Sequence, residues 1–278
     1  MNNKDFNEFF KSYSKNVDNA NRHGFWKLSD ALIFKIIKDN IPAGIDKNAT
    51  ILDAGGGTGK WVCDLSKVYQ SNFIVYDRSH DMLERAKENI KNAKIENRVK
   101  LVEGDLKDMK DIRSGSVDYI VSIYSPISFI YEKGKAFGEM FRVLKKGGKI
   151  IIMEQGFFNA IASKINNYCA DSKELEALDN EHMVKWGEHV ALLNVCSKEI
   201  IENDLKQAGF SPNKTYGVPV FVQPGSEDFD PENIKKSRIS SALENEKFFK
   251  EVFELEMKYN SQPTVINRGM NIFASAKK

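Results

Sequence analysis

Short apolar runs alternate along this chain with longer stretches in which apolar residues recur every three or four positions. The runs predict buried strands at 50–52, 72–76, 98–103, 117–123 and 149–154. The helical spacing predicts amphipathic helices at 26–41, 61–69, 79–93, 131–144 and 197–208. Two further runs, at 215–222 and 269–276, predict a sixth and a last strand. Strands alternating with helices indicate an α/β fold, a doubly wound, mostly parallel sheet of seven strands.

The second half of the pattern is less regular. We expect two helical insertions into one domain, at about 156–196 and 223–263, the second with an amphipathic helix over 241–259. The chain begins with a polar stretch whose aromatic residues, Phe6, Phe9, Phe10 and Tyr13, share one face of a short helix. This helix either packs on the core or covers a pocket. The predicted division is a helical segment at 1–44 and a domain at 45–278.

Composition narrows the class of protein only slightly. The 41 basic and 39 acidic residues of the 278 leave a net charge of +2, which favours neither a nucleic acid nor a membrane surface as partner. The three cysteines, Cys63, Cys169 and Cys196, form no C-x-x-C pair and suit a reducing cytosol. We see neither an apolar signal core at the start nor a run of about 18 apolar residues for a membrane span. A cytoplasmic protein is expected.

A glycine-rich turn follows the first predicted strand, in the segment A-T-I-L-D-A-G-G-G-T-G-K-W at 49–61. A P-loop would need a glycine where Ala54 stands and a hydroxyl where Trp61 stands. A dinucleotide fingerprint would need a third glycine where Lys60 stands. A turn without any ligand is the plain alternative. The spacing that fits is D-x-G-x-G-x-G, formed by Asp53, Gly55, Gly57 and Gly59, and it resembles motif I of the class I S-adenosylmethionine (SAM)-dependent methyltransferases.

An acid ends the second predicted strand. Asp77 stands where it can accept hydrogen bonds from two ribose hydroxyls, which nicotinamide and SAM cofactors both carry. The alternative is a helix-capping aspartate, because D-R-S-H-D-M-L also looks like the start of a helix. The segment around Asp77 and Arg78 resembles the methyltransferase pattern of strand, acid and helix.

A third acid follows the third strand. In the family that this chain resembles, an acid at the position of Asp105 accepts the adenine amino group and its neighbour, here Leu106, packs on the ring. Taken alone, Gly104-Asp105 is ordinary turn chemistry. The resemblance covers about 49–156 and implies a Rossmann-like fold, SAM as the cofactor, a methyl site lined by the segment from Ser122, and a lid formed by the N-terminal segment.

Methyl transfer from a sulfonium requires positioning and exclusion of water, and it needs a base only when the acceptor loses a proton. Candidates for the acceptor side are Tyr124, Glu154, His182 and His189, each of which has a structural alternative as a core or surface residue. The two histidines, with no Cys or Asp partner, do not predict a metal site.

The most specific interpretation is a SAM-dependent methyltransferase acting on N or O of a small-molecule acceptor. Three alternatives stay open: a nicotinamide-dependent reductase, a non-catalytic SAM-binding protein and a methyltransferase of the tRNA wobble-uridine carboxylate. The last rests on a resemblance over about 255–270, and the near-neutral charge argues against a nucleic-acid partner.

Overall fold

A computed structural model describes residues 23–187, 190–229 and 235–278. Nine α-helices lie in these described residues: α1 (Gly24–Asn40), α2 (Lys60–Leu65), α3 (His80–Asn92), α4 (Lys133–Val143), α5 (Phe157–Asn166), α6 (Ser172–Glu181), α7 (Lys198–Gln207), α8 (Arg238–Ala242) and α9 (Glu246–Tyr259). Short 3₁₀ turns occur at Glu96–Arg98, Pro126–Phe129, Ser226–Phe229 and Ile266–Arg268.

The strands form one central sheet. They are β1 (Thr50–Ala54), β2 (Asn72–Asp77), β3 (Val99–Glu103), β4 (Val117–Ser122), β5 (Leu144–Gly156), β6 (Met183–Val184), β7 (Leu193–Cys196), β8 (Ser211–Val218) and β9 (Asn271–Lys277). Strands β3, β2, β1, β4 and β5 lie side by side and are parallel. Strand β9 is antiparallel to β5, and β8 is antiparallel to β9. The α/β class and the mostly parallel sheet are confirmed.

The count of seven strands is wrong, because the described residues hold nine. The two additional strands come from the first insertion, which we expected to be helical. Strand β7 extends the sheet by pairing with the end of β5 at Gln155 and Gly156, and β6 pairs with β7. Strands of four and two residues are too short for their alternation to stand out from a helical pattern.

Two hydrophobic layers cover the two faces of the sheet. Alternation along each strand sends neighbours to opposite faces, so that Ile51 and Leu52 are both fully buried but belong to different layers. Helices α1, α2, α3 and α9 pack in the Ile51 layer, and α4 and α7 pack in the Leu52 layer. Within α1, the side chains on one face are almost completely buried: Phe25, Leu28, Leu32, Ile33, Ile36 and Ile37. Helix α1 is thus part of the core.

Other sequence predictions differ in their boundaries. The helix expected over 241–259 is two helices, because Asn245 accepts a hydrogen bond from the Phe248 N–H and starts α9 as a new helix. The aromatic face at 6–13 lies outside the described residues, so the lid and the division at residue 44 stay predictions. No helix in the described ranges is long and apolar enough to cross a membrane.

Candidate active site

The strand order reverses between β1 and β4. From β1 the chain proceeds outward to β2 and β3, and it then returns to place β4 on the other side of β1. In open α/β sheets, ligands bind outside the carboxyl ends of the strands at such a reversal, where the following loops separate. The turns after β1, β2, β3 and β4 therefore define the candidate site.

The turn after β1 depends on glycine. Gly55, Gly57 and Gly59 have positive φ angles of 76°, 52° and 70°, which residues with a side chain rarely adopt. A Cβ atom at Gly55 would also lie 2.3 Å from the Cβ of Pro126, which follows β4. The Gly55 N–H donates to the Tyr76 carbonyl at 2.7 Å and joins the turn to β2. A side chain at Gly55 would therefore displace the turn from β2 or from the segment after β4.

Asp53 is buried beneath this turn. The residue is 1% exposed, and its Oδ2 atom has no hydrogen-bond partner among the described residues. Gly56 leaves the space that the carboxyl group occupies, since a Cβ there would lie 2.8 Å from the Asp53 Cγ. Burial, together with the nearby Asp77 charge, raises the pKa of Asp53 from its ordinary 3.8 to about 8. A buried carboxyl group whose oxygen has no partner in the protein is suited to pair with a cationic group of a ligand.

Asp77 ends β2 and faces the glycine turn. Its Oδ2 accepts a hydrogen bond from the Gly57 N–H at 2.9 Å, and its Oδ1 accepts one from the Ser79 N–H at 2.8 Å. The Arg78 N–H also contributes a backbone hydrogen bond. Burial raises the pKa of Asp77, although the three N–H groups oppose this by stabilising its charged form. The N-cap of α3 is Ser79, whose hydroxyl accepts from the Met82 N–H, so Asp77 is not the helix-capping residue.

Asp105 follows β3 and is held close to Asp77. The Gly104 N–H donates to the Asp77 carbonyl at 2.9 Å, and the Tyr76 hydroxyl donates to the Asp105 carbonyl at 3.4 Å. The Asp105 Oδ1 accepts from the Lys107 N–H at 2.9 Å. Leu106 is buried, and its Cδ1 would lie 3.8 Å from a Cβ at Gly55. The structure therefore brings Asp53, Asp77 and Asp105 to one edge of the sheet, as expected from the sequence.

The segment after β4 completes this edge. Ser122 is fully buried, and its hydroxyl donates to the Ala54 carbonyl at 2.8 Å. Tyr124 and Ser125 then adopt positive φ angles of 61° and 63°, which are strained for residues other than glycine. The Tyr124 N–H lies 3.1 Å from the Met153 Sδ, which accepts its hydrogen bond. Two consecutive residues in this conformation place the Tyr124 side chain over the start of α1.

Tyr124 meets residues that the sequence did not identify. Its hydroxyl donates to the Asp30 Oδ1, and its ring lies 5.9 Å from Trp26 and 6.1 Å from Trp61 between ring centroids. The Lys60 Nζ lies 2.9 Å from the Asp30 Oδ2. No motif marks Asp30, because its only sequence signal is a polar position on an amphipathic helix.

Anchors from the second insertion hold Trp26 in place. The Trp26 Nε1–H donates to the Asp228 carbonyl at 2.6 Å, and the Phe229 ring lies 5.6 Å from the Trp26 ring. The Asp228 carboxylate is buried and accepts hydrogen bonds from the Ser237 and Ser240 hydroxyls. Four aromatic side chains thus lie together beside the glycine turn, and we call them the aromatic wall: Trp26, Trp61, Tyr124 and Phe229.

The other acceptor-side candidates lie elsewhere. Glu154 is fully buried, and its Oε2 lies 3.1 Å from the Lys133 Nζ, which also lies 2.8 Å from the Asp204 Oδ2. His182 ends α6 with its ring centroid 4.6 Å from that of Phe157, in the packing of the first insertion. His189 lies outside the described residues. Within those residues, no group of three or more His, Cys, Asp or Glu side chains is arranged for a metal ion.

The glycine turn after β1 and the acid after β2 lie where the resemblance to the class I methyltransferases requires them. A sequence-family model for a methyltransferase domain matches residues 45–209, and the chain belongs to this family of SAM-dependent methyltransferases. It is therefore a SAM-dependent enzyme and not a nicotinamide-dependent reductase. The residues present fit this cofactor, since the buried acid Asp53 without a partner for its Oδ2, the strand-end acid Asp77 and a turn of glycines lie together.

Among curated proteins, the chain is similar to the ubiquinone/menaquinone biosynthesis C-methyltransferase UbiE of Citrobacter koseri. The two are 29% identical over 114 residues, which cover 40% of this chain and 45% of that protein. This chain thus spans less than half the length of that relative. The similarity supports the family but does not transfer the acceptor.

Solved structures share the fold. A putative SAM-dependent methyltransferase from Methanococcus maripaludis is 26% identical with a TM-score of 0.53, and the match covers 74% of this chain and 88% of that chain. Geranyl diphosphate C-methyltransferase from Streptomyces coelicolor, in a complex that contains S-adenosyl-L-homocysteine, has a TM-score of 0.57 at 14% identity, with 89% and 79% of the chains covered. At that identity the second match shows the fold alone.

Proposed function

We propose that this enzyme transfers the methyl group of SAM to a nitrogen or oxygen atom of a small-molecule acceptor. The observation that carries the proposal is the juxtaposition of two surfaces at the carboxyl ends of the strands. One surface holds the three acids and the glycine turn, and the other is the aromatic wall. A cofactor on the first surface would direct its methyl group toward an acceptor against the second.

Each acid has a proposed part in holding SAM. Asp77 would accept hydrogen bonds from the ribose hydroxyls, and Asp105 and Leu106 would bind the adenine amino group and ring face. Arg78 and Ser122 flank these contacts, and Gly55, Gly57 and Gly59 allow the backbone to approach. Asp53, buried without a partner for its Oδ2, would face the ammonium group of the methionine part. The N–H groups at the start of α2 suit the methionine carboxylate.

A carbon acceptor is the second candidate. The curated relative is named a C-methyltransferase, and Phe229 of the aromatic wall is 51% exposed, so that the ring of an acceptor could stack on it. Nitrogen and oxygen remain the first candidates because polar side chains, Asp30 and Lys60, lie behind that wall.

A nucleic-acid substrate is less well supported. A cleft lined by Lys145, Lys146 and Lys149 lies beside Asp118, near the amino ends of β4 and β5. These lysines are therefore at the opposite edge of the sheet from the three acids. A tRNA on that cleft would not reach the methyl group, so we retain a small molecule and a cytosolic setting, which the three free cysteines suit.

Two measurements test the proposal. Calorimetric titration should show binding of SAM and of S-adenosylhomocysteine, and no binding of NADPH. Incubation with methyl-labelled SAM and fractionated small-molecule extract should then yield a labelled product, whose mass spectrum identifies the methylated atom. The proposal fails if SAM binds but label appears only in RNA, or in no fraction at all.

A further inference from the structure

The geometry points to Tyr124 as the catalytic residue that receives the acceptor's proton, with Asp30 as the positioning partner that takes the proton of the Tyr124 hydroxyl. This inference rests on the proposed function, because it concerns transfer to an N–H or O–H group. Sequence reasoning named Tyr124 only as an aromatic that could orient an acceptor, and it did not name Asp30.

The position of Tyr124 is the first argument. Ser122 is bonded to the end of β1, and Pro126 lies against Gly55, so residues 122–126 cross the glycine turn at the strand-order reversal. The backbone of Tyr124 and Ser125 is held in a strained left-handed conformation there. Such strain persists only where the surroundings impose it, and it is concentrated at functional sites. In this case the imposed conformation brings the phenol to Asp30 on α1 and its ring centroid to 6.1 Å from that of Trp61, which follows the glycine turn.

The direction of the hydrogen bond is the second argument. A phenol has one hydrogen, and the Tyr124 hydroxyl donates it to the Asp30 Oδ1. Toward an acceptor, the Tyr124 oxygen can therefore only accept a hydrogen bond. An N–H or O–H group of the acceptor can donate its hydrogen to the Tyr124 oxygen. The lone pair of that nitrogen or oxygen atom would then point away from Tyr124, toward the methyl group.

The charges behind Asp30 are the third argument. Its second oxygen, Oδ2, lies 2.9 Å from the Lys60 Nζ, and that ammonium also lies 3.2 Å from Asp64. Burial alone would lower the pKa of Lys60, but the carboxylates of Asp30 and Asp64 raise it above its ordinary value. Lys60 therefore stays charged and holds Asp30 in place. The side chain of Asp30 is 21% exposed, which leaves a route for a proton to solvent.

The step balances in atoms and electrons. SAM supplies the methyl group, and the electron pair of its S–CH₃ bond stays on sulfur. The acceptor's lone pair forms the new bond to carbon. The proton of the acceptor's N–H or O–H group moves to the Tyr124 oxygen while the hydroxyl proton of Tyr124 moves to Asp30. Asp30 then releases that proton to solvent, and the original hydrogen bond is restored.

Three variants test the inference on the full chain. Tyr124→Phe keeps the ring that packs on Trp26 and Trp61, and Asp30→Asn keeps the shape of the carboxylate. Asp39→Asn is the control, because Asp39 lies on the same helix in an exposed ion pair with Lys35. The acceptor is the small molecule identified with labelled SAM, and the readouts are SAM affinity, kcat, KM and the pH dependence of kcat.

We expect Tyr124→Phe and Asp30→Asn to lower kcat by about 10²- to 10⁴-fold with SAM affinity within about two-fold of wild type. The double variant should be no slower than the slower single variant, because the two residues act as a unit. Asp30→Asn should also change the shape of the pH profile of kcat, because the relay then lacks the carboxylate that takes the proton of Tyr124. Lys60, which contacts Asp30, and Asp64, which contacts Lys60, are the other charged groups of this cluster.

Other outcomes overturn the inference. If kcat stays within about two-fold in both variants, the pair has no part in proton transfer. If SAM affinity falls along with kcat and the shape of the pH profile is unchanged, the pair is only structural. If Asp30→Asn does not fold, Tyr124→Phe, which retains the Asp30–Lys60 ion pair, decides. Absence of labelled product from the wild-type enzyme would instead refute the proposed function, and this inference with it.

Discussion

The Oδ2 atom of Asp77 lies 2.9 Å from the backbone nitrogen of Gly57, so a hydrogen bond joins the acid after β2 to the glycine turn after β1. The acid is thereby oriented before any ligand arrives, and each of its two oxygens already accepts a backbone hydrogen bond. A ribose hydroxyl would find a carboxylate fixed in direction, which lowers the entropic cost of binding.

Asp77→Ala is therefore expected to weaken SAM binding by about 1–3 kcal/mol, the cost of losing hydrogen bonds to a charged acceptor. Calorimetric titration with S-adenosylhomocysteine measures the effect without turnover. Asp111→Ala is the control, because Asp111 is an exposed aspartate after β3. Equal affinity of the Asp77 variant and wild type would refute the ribose role.

The raised pKa of Asp53 predicts a pH dependence of stability. Because the folded-state pKa is about 8 and the ordinary value is 3.8, the folded protein binds more protons than the unfolded chain between about pH 4 and pH 8. The contribution of Asp53 to stability is thus fully present at the acidic end and is lost as the pH rises through this window. Asp77, whose pKa is also raised, acts in the same direction.

The variant Asp53→Asn removes the titratable carboxyl group and keeps nearly the same side-chain shape. We therefore expect the difference in thermal midpoint between Asp53→Asn and wild type, measured without ligand, to increase in favour of the variant from pH 5 to pH 8. Binding of SAM to the wild type at pH 7 should release a proton, because an ammonium beside Asp53 favours its charged form. Calorimetry in two buffers of different ionisation enthalpy detects this release. A proton release that persists in Asp53→Asn would show that another group is responsible.

Gly56→Ala tests how closely the turn is packed. The new Cβ would lie 2.8 Å from the Asp53 Oδ2 and 2.9 Å from the Val75 Cγ1, so one of them must move. Overpacking of this kind costs about 1–3 kcal/mol, and we expect a lower thermal midpoint together with weaker SAM binding. Gly44→Ala, where a Cβ would meet nothing within 4 Å, should change neither property.

Because Lys133 and Glu154 form a buried ion pair, we expect replacement of the lysine to lower the free energy of unfolding more than replacement of the glutamate. Burial raises the pKa of Glu154, although the Lys133 charge opposes this. Lys133→Met would leave Glu154 without a cation and should cost about 3–5 kcal/mol of unfolding free energy. Glu154→Gln should cost less, since Lys133 keeps Asp204 as a partner. Urea unfolding measures both, and unchanged SAM binding in Glu154→Gln would mark Glu154 as structural.

The sequence predicted the features that local pattern determines. The apolar run before Asp77 and the cap at Ser79 place that acid at a strand end, and the spacing of Gly55, Gly57 and Gly59 places the turn. The contact of Asp30 with Tyr124 joins residues 94 positions apart, and the local sequence around either residue does not predict it. The strand β7 was missed for a similar reason, because four residues gain their conformation from pairing with β5.

Strand β9 occupies the place between β5 and β8, although it begins at Asn271 and β5 ends at Gly156. During synthesis, β5 therefore leaves the ribosome with one long edge uncovered, and it stays so until residues 271–277 emerge. Contacts so distant in sequence form slowly, and an open strand edge invites pairing with other chains in the meantime. The nascent enzyme is therefore exposed to aggregation through this strand edge until its last strand has been synthesised.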